Sequence, residues 1–352
     1  MLENLLTETQ LNDLRVALEE ARHIVVTCHV SPDGDAVGSV MAVTNYLLRK
    51  GKDVTPITPN AFPDFLKWVP GSERIIPYER NEERANPVVA AADLFICVDF
   101  NAPGRMEKLG DVVMANPAPK LMIDHHLHPV DFCKWTYSYP EMSSTCELLF
   151  RMFDQLGEFE DMTTDEAACL YTGMMTDTGG FTYNSNRSDI YFIIGRLLTK
   201  GIDKDRIYRN VFNDYSAERF RLLGYMLYVK MEVFSKQHAT LMTLTREEQR
   251  RFSHKKGDTE GFVNMPLQIS GMRLSIFMRE NTDKDTIRIS LRSTDDFPCN
   301  QMAAEFFNGG GHLNASGGEL VCSMPEAVEI AKKAIRKYTP LLTGQETEKT
   351  NA

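Results

Sequence analysis

Apolar positions along this chain fall into two textures that meet near residue 231. In the first, short β-branched or apolar runs such as Ile24-Val25-Val26, Leu94-Phe95-Ile96-Cys97-Val98 and Leu121-Met122-Ile123 alternate with longer stretches at helical spacing. The pattern predicts strands over 24–30, 53–58, 94–100 and 121–125. It predicts helices over about 35–50, closed by Gly51, and near 143–156 and 164–175. Strands alternating with helices predict a parallel α/β sheet. Residues 187 to about 230 keep helical spacing and read as a bridge. Beyond Met231 come strand signals over 232–234, 239–244, 274–278 and 286–291, then a glycine run and a closing helix over 324–339. The expected organisation is an N-terminal parallel-sheet domain over 1–190, a helical linker over 191–230, a smaller α/β domain over 231–342 and a polar tail over 343–352.

Composition supports two cores, since 352 residues with 43% hydrophobic content exceed one ordinary domain. The opening Met1-Leu2-Glu3-Asn4-Leu5-Leu6-Thr7-Glu8 has no basic start followed by an apolar segment, and no apolar run approaches the ~20 residues of a membrane span. A soluble chain with no membrane partner is expected. Seven cysteines without a Cys-x-x-Cys pair argue against a disulfide framework or a cysteine-built zinc site and point to a reducing cytoplasm. Cys28 and Cys97 read as small apolar residues inside buried strands. The net charge of −10 opposes a long phosphate backbone, so a nucleic-acid ligand should be short.

The chemistry lies where the apolar runs stop. His29, Asp33 and Asp35 follow the first; Asp99 ends the second; Asp124, His125 and His126 end the third; Asp177 follows the helical stretch 165–175. Taken singly, His29 or Asp177 reads as a capping or surface residue and the Asp33-x-Asp35 spacing as a turn before a helix, while Asp124-His125-His126 at a strand end is the stronger signal. Four ligand-bearing segments in one chain, at the ends of strands where α/β sheets place their crevices, read as a metal centre. Imidazoles with several carboxylates and no thiolate suit Mn²⁺, with Mg²⁺, Co²⁺ or Zn²⁺ as substitutes. Six candidate ligands at the strand ends, His29, Asp33, Asp35, Asp99, Asp124 and His125, exceed the needs of one open ion. Two ions roughly 3.5–4 Å apart are therefore expected, with metal-assisted phosphoester hydrolysis as the reaction class. No G-x-x-x-x-G-K-[ST], strand-borne G-x-G-x-x-G or H-E-x-x-H motif occurs, which removes the usual signals of nucleotide-driven transfer, dinucleotide redox and zincin proteolysis.

Together these motifs resemble the DHH phosphoesterase superfamily, whose name matches Asp124-His125-His126. His29-x-x-x-Asp33-x-Asp35 is similar to its first motif, Asp99 to its second and Asp177, in Thr176-Asp177-Thr178-Gly179-Gly180, to its fourth. The resemblance implies one ion on His29, Asp33, Asp99 and Asp177, the other on Asp35, Asp99, His125 and Asp177. It implies Asp124 orienting an imidazole from outside the ligand set and His126 facing the substrate phosphate, as hydrogen-bond donor or general acid. The second half resembles the DHHA1 domain through Ser290-Leu291-Arg292-Ser293 and Gly309-Gly310-Gly311-His312-x-Asn314-Ala315-Ser316-Gly317. Arg292, Ser293, Gly309, Gly310, Gly311 and His312 are the implied substrate-binding residues. Asn308 stands where many members have a further glycine.

Within the superfamily, this domain pair resembles the stand-alone oligoribonuclease and pAp phosphatase group. The expectation is a Mn²⁺-dependent phosphodiesterase or phosphatase acting on short single-stranded RNA, roughly two to five nucleotides, or on nucleotide phosphates docked between the domains. A cyclic or linear dinucleotide phosphodiesterase is the close alternative, and a non-catalytic nucleotide-binding protein is the alternative of another class. Hydrolysis of pyrophosphate or polyphosphate ranks behind. A homodimer stays open. Phe181 and Tyr183 are expected to pack in the core rather than stack a base.

Overall fold

The computed structural model describes residues 2–255 and 257–344. Its contacts divide at Asp214 and Tyr215 into two units.

In the first unit the apolar runs become the strands of a six-stranded sheet. These are β1 (His23–Thr27), β2 (Asp53–Thr58), β3 (Ile76–Pro77), β4 (Leu94–Val98), β5 (Lys120–Asp124) and β6 (Trp135–Ser138). All neighbours pair in parallel, in the order β3-β2-β1-β4-β5-β6. The order reverses between β1 and β4, which opens a crevice beyond their carboxyl ends. Helices α1 (Glu8–Glu20), α2 (Gly34–Arg49), α3 (Glu82–Ala91), α4 (Lys108–Ala115), α5 (Thr145–Gln155) and α6 (Thr164–Asp177) surround the sheet. One face packs Ile24, Val26, Ile96 and Ile123 under α1, α2, α5 and α6; the other packs Val25, Phe95 and Cys97 under α3 and α4. A sheet covered on both faces accounts for strands that are apolar at nearly every position.

The expected strands over 24–30 and 94–100 stop at Thr27 and Val98. Asp99 has φ 64°, a left-handed conformation that cannot continue a pleat. Helices α1, α3 and α4 and the short strands β3 and β6 were outside the sequence reading. α3 carries Pro87 in its interior, and the two edge strands are too short to show a period. The expected helical linker over 191–230 is divided between two cores. Helices α7 (Ser188–Thr199) and α8 (Lys204–Phe212) bury Ile190, Ile193, Leu197, Ile207 and Val211 with the first. Helix α9 (Ala217–Tyr225) and a π-helical turn (Met226–Lys230) bury Leu222 and Met226 with Met242, Leu244 and Phe262 of the second.

The second unit holds β7 (Glu232–Phe234), β8 (Ala239–Leu244), β9 (Leu274–Glu280), β10 (Ile287–Ser293), β11 (Gly310–His312) and β12 (Ala315–Leu320), with α10 (Arg246–Arg251), α11 (Cys299–Phe306) and α12 (Met324–Thr343). Its sheet runs β11-β12-β10-β9-β8-β7, antiparallel except for β8 and β9. Alternate residues Ile276, Met278, Ile289 and Leu291 pack under α11 and α12. The glycine run is partly strand, since Gly310–His312 forms β11 against β12. Glycine lets the two backbones approach, because a Cβ on Gly309 would lie 1.8 Å from the carbonyl oxygen of Gly317. Asn308 takes φ 50°, a conformation asparagine tolerates. Helix α12 passes the expected end at Thr339 and stops at Gly344, φ 68°. The expected polar tail lies, from residue 345, outside the described residues. No described helix is long and apolar enough to cross a membrane.

Candidate metal centre

Each acidic or imidazole group named from the strand ends reaches one cluster in the first unit. Asp33 caps α2, its Oδ1 accepting the backbone N–H groups of Asp35 and Ala36 at 3.1 Å, so its Oδ2 turns to His29 Nε2 at 3.8 Å. His29 Nε2 is 3.4 Å from Asp99 Oδ2. Across the crevice, His125 Nε2 lies 3.3 Å from Asp177 Oδ2, 3.7 Å from Asp99 Oδ1 and 4.0 Å from Asp35 Oδ2. Three overlapping sets have ligand atoms mutually within 4.8 Å: His29, Asp33 and Asp99; Asp35, His125 and Asp177; and Asp99, His125 and His126. Asp99 and His125 are each shared by two sets.

Both candidate imidazole ligands are oriented by main chain. His29 Nδ1 meets the Val30 carbonyl at 2.8 Å and His125 Nδ1 the Met142 carbonyl at 3.2 Å, which leaves each Nε2 facing the carboxylates. His126 differs: its Nδ1 is 2.7 Å from Asp124 Oδ1. Asp124 is fully buried, and its Oδ2 has no hydrogen-bond partner among the described residues.

The segment before α5 supports the cluster, and the sequence reading missed it. Asp35, 1% exposed, accepts the backbone N–H groups of Thr145 at 2.7 Å and Cys146 at 3.0 Å, a carboxylate at a helix N-terminus. The Thr145 hydroxyl donates to Asp99 Oδ1 at 2.9 Å. Ser144 caps the helix through the Glu147 N–H, and the buried Glu147 carboxylate accepts the N–H and hydroxyl of Ser143. Arg151 and Arg187 both donate to that carboxylate. The spacing Ser144-x-x-Glu147 is a capping signature that marks the helix start but not what its N–H groups hold. Glycines set how closely α2 and α6 meet: a Cβ on Gly173 would stand 2.5 Å from Asp35 Oδ1.

The electrostatics describe a cluster that lacks positive charge. Burial pushes Asp35 well above the usual carboxylate range, and the charges of Asp99 and Asp177 add to it. Burial raises Asp177 to about 7 against the pull of His125. Burial opposes protonation of His29 and His125, yet neighbouring carboxylates, Asp99 foremost at His29 and Asp177 at His125, raise both to about 9. Asp99 goes the other way: burial raises it, but the His29 hydrogen bond and charge hold it well below the carboxylate range. Where no cation is bound, the imidazoles are driven to supply one, so this donor set fits divalent cations. The guanidinium of Arg105, half-buried just beyond Asp99, also bears on His29. Its carbonyl accepts the Val30 N–H at 2.7 Å. Burial pushes the Cys28 and Cys146 thiols up, as inert interior groups.

The second set of expected residues belongs to the second unit. Arg292 is half-buried on β10, donating to the carbonyl of Leu291 at 2.9 Å, and Gly310, Gly311 and His312 are exposed. Ser293 does not fit the expectation of a substrate ligand. It is buried, donates to the Phe297 carbonyl at 2.8 Å and accepts from Asn314 at 2.9 Å, so its hydroxyl braces the loop. Gly309 is half-buried, with its backbone close against that of Gly317. Phe181 packs against Tyr171 with the rings tilted, as a core aromatic would, but Tyr183 is 54% exposed and lies over Gly179 instead.

The profile of the DHH family N-terminal domain matches residues 23–174, and that of the DHHA1 domain residues 241–339. The chain is 53% identical to an exopolyphosphatase-related protein of Bacteroides fragilis known from a crystal structure, with a TM-score of 0.94 over 97% of this chain and 100% of that one. It is 26% identical over 328 residues to the bifunctional oligoribonuclease and PAP phosphatase NrnA of Thermus thermophilus, covering 89% of each. It is 24% identical over 339 residues to the cyclic-di-AMP phosphodiesterase GdpP of Bacillus subtilis, covering 92% of this chain and 49% of that protein.

Proposed function

The chain belongs to the DHH family, and from that premise we propose that it is a metal-dependent phosphodiesterase hydrolysing short oligoribonucleotides and nucleoside bisphosphates such as pAp. The observation that carries this reading is the pair of three-ligand sets, His29-Asp33-Asp99 and Asp35-His125-Asp177, joined through the contact of His125 with Asp99. These residues would hold two divalent cations, Mn²⁺ by preference for mixed imidazole and carboxylate donors, and the bound ions would supply water activation at neutral pH and a Lewis-acid hold on a phosphoryl oxygen.

The protein's own groups do the rest. His126 is fixed by Asp124 through Nδ1, and its Nε2 donates to the phosphate or protonates the leaving oxygen. Thr145 and the start of α5 hold Asp35 and Asp99 in place. In the second unit, Arg292, Gly310, Gly311 and His312 bind the nucleotide, the arginine gripping phosphate. The similarity to NrnA along nearly the whole chain supports this substrate class. A second reading, cleavage of cyclic di-AMP, is favoured by the similarity to GdpP, of which this chain spans about half.

The test is Mn²⁺-dependent turnover of pAp, pApA, cyclic di-AMP, a five-nucleotide RNA and tripolyphosphate, beside Asp99→Ala. The expected result is loss of pAp and the short RNA, abolished in the variant. Turnover confined to cyclic di-AMP or to tripolyphosphate would overturn the substrate assignment. Tight metal binding without turnover of any of them would move the chain to the nucleotide-binding proteins.

A further inference from the structure

Strand register places three arginines on one face of the second sheet. Arg288 and Arg292 stand four residues apart on β10, on the face opposite Ile287, Ile289 and Leu291, and Arg279 of β9 is directly paired with Arg288. Like charges opposite each other on neighbouring strands are unfavourable unless something answers them. Among the described residues no carboxylate comes within 4.0 Å of any of the three. Arg279 donates to Thr259 and meets His254 Nε2 at 3.2 Å, Arg292 donates to its own strand, and Arg288 is exposed. Glu319 is the cross-strand partner of Arg288 on β12 but forms no ion pair with it. Burial and the charge of Arg288 both lower the basicity of Arg279, which is what a cation held without an anion undergoes.

Between the two ends of this row the floor is bare on the β12 side. Ser290 is paired with Gly317, and Gly317 with Gly310, so toward that edge the middle of the face carries one hydroxyl and two glycines, while on the β9 side Ser290 is paired with Phe277. A Cβ on Gly310 would meet nothing within 4 Å. The other sheet face is closed by α11 and α12, and cover on this one is concentrated over Met242, Leu244 and Phe277. Four residues of strand separate the Arg288 and Arg292 backbones by about 13 Å, more than the spacing of successive phosphates, so gripping two neighbouring phosphates requires the two long side chains to lean toward each other over Ser290.

We propose that this face binds two successive phosphates of a single-stranded oligonucleotide, one at Arg292 and the next at Arg288, with Arg279 behind it. The inference rests on the nucleotide-binding role proposed above for Arg292 and extends it from a mononucleotide site to one that counts a second phosphate. An anion at Arg288 removes the repulsion between the paired arginines, and the glycine floor leaves room for the sugar between the phosphates.

The test is binding, read without catalysis. The full chain in EDTA is titrated with AMP, pApA and pApApA, as wild type and as Arg288→Gln and Arg288→Lys. Arg288→Gln should weaken pApA and pApApA about tenfold, leave AMP within twofold and reduce the salt dependence of pApA binding by about one ion; Arg288→Lys should restore most of the loss. Equal weakening of AMP and pApA, or no change for either, would overturn the second phosphate site. Because metal and turnover are absent, Arg288-dependent binding of pApA in a chain that hydrolyses nothing would sustain this site while sinking the phosphodiesterase reading. Turnover of pApA with a KM unmoved by Arg288→Gln would do the reverse.

Discussion

His126 Nδ1 lies 2.7 Å from Asp124 Oδ1, and this contact fixes the imidazole through one of its two ring nitrogens. A buried carboxylate accepts from Nδ1–H, which sets the tautomer at Nε2, the nitrogen assigned above to the proposed substrate contact, and stabilises the ring when it carries a second proton. Asp124→Asn keeps the shape and removes the charge. It should lower kcat about 100-fold while metal affinity changes less than threefold, and His126→Ala should do the same. The double variant should be little worse than His126→Ala alone, since both substitutions remove one unit. Steady-state kinetics with metal titrations check this; losses that multiply would show that the two residues act independently.

Thr145 reaches two proposed ligands at once, through its N–H to Asp35 and its hydroxyl to Asp99. Thr145→Val retains the first contact and deletes the second. Asp99 then loses a fixed hydrogen bond on the oxygen that faces His125. Mn²⁺ affinity should fall roughly tenfold with a stability change of about 1 kcal/mol, measured by calorimetric titration and by denaturant unfolding of the metal-free protein. Unchanged affinity would reduce Thr145 to a packing residue.

Gly173 is the point where α6 leaves space for Asp35. An alanine there would press its Cβ to 2.5 Å from Asp35 Oδ1 and 2.2 Å from Cys146 Sγ. Asp35 is fixed by two backbone donors and cannot yield cheaply. Gly173→Ala should therefore cost stability by 1–3 kcal/mol, as overpacking does, and weaken metal binding more than Gly195→Ala, where a Cβ meets nothing within 4 Å. Equal behaviour of the two variants in thermal melts with and without Mn²⁺ would refute the steric account.

What the sequence made legible follows from where chemistry sits on an α/β sheet. His29, Asp33, Asp99, Asp124 and His125 come directly after apolar runs, so the strands that position them also advertise them. Thr145 and Glu147 were not legible, because their contributions are a helix N-terminus and a buried hydrogen-bond hub, which residue type does not announce. Strand register was equally hidden: nothing in the spacing of Arg279 and Arg288 reveals that β9 and β10 place them side by side. Ser293 shows the converse, a residue at a motif position whose hydroxyl is already committed to the Phe297 carbonyl. The linker was read as continuous because helical spacing runs through 187–230, and only packing shows that Val211 and Leu222 belong to different cores.

The protonation of the cluster gives the metal centre a pH dependence with a definite sign. His29 and His125 stand at about 9 in the metal-free fold, above the ordinary imidazole value of 6.5, and Asp177 stands at about 7, above its ordinary 3.8. The two imidazoles stabilise the metal-free fold fully below pH 6.5, and that contribution is lost as pH rises through about 9. Asp177 works in the same direction, since the fold holds its proton where the unfolded chain has released it, and stability falls between pH 3.8 and about 7. Metal requires the deprotonated ligands, so its binding must expel these protons, and affinity should climb with pH until about 9. Melting curves of the metal-free protein should therefore move down from pH 6 to 9 in proportion to this term, while the Mn²⁺-induced rise in Tm grows over the same range. The metal affinity itself should increase by more than tenfold per pH unit near pH 8, because more than one proton leaves. His125→Gln, which cannot take up the proton, should flatten the slope by close to one proton per ion bound. A Mn²⁺ affinity independent of pH between 6.5 and 9 would mean that these imidazoles are not the ligands.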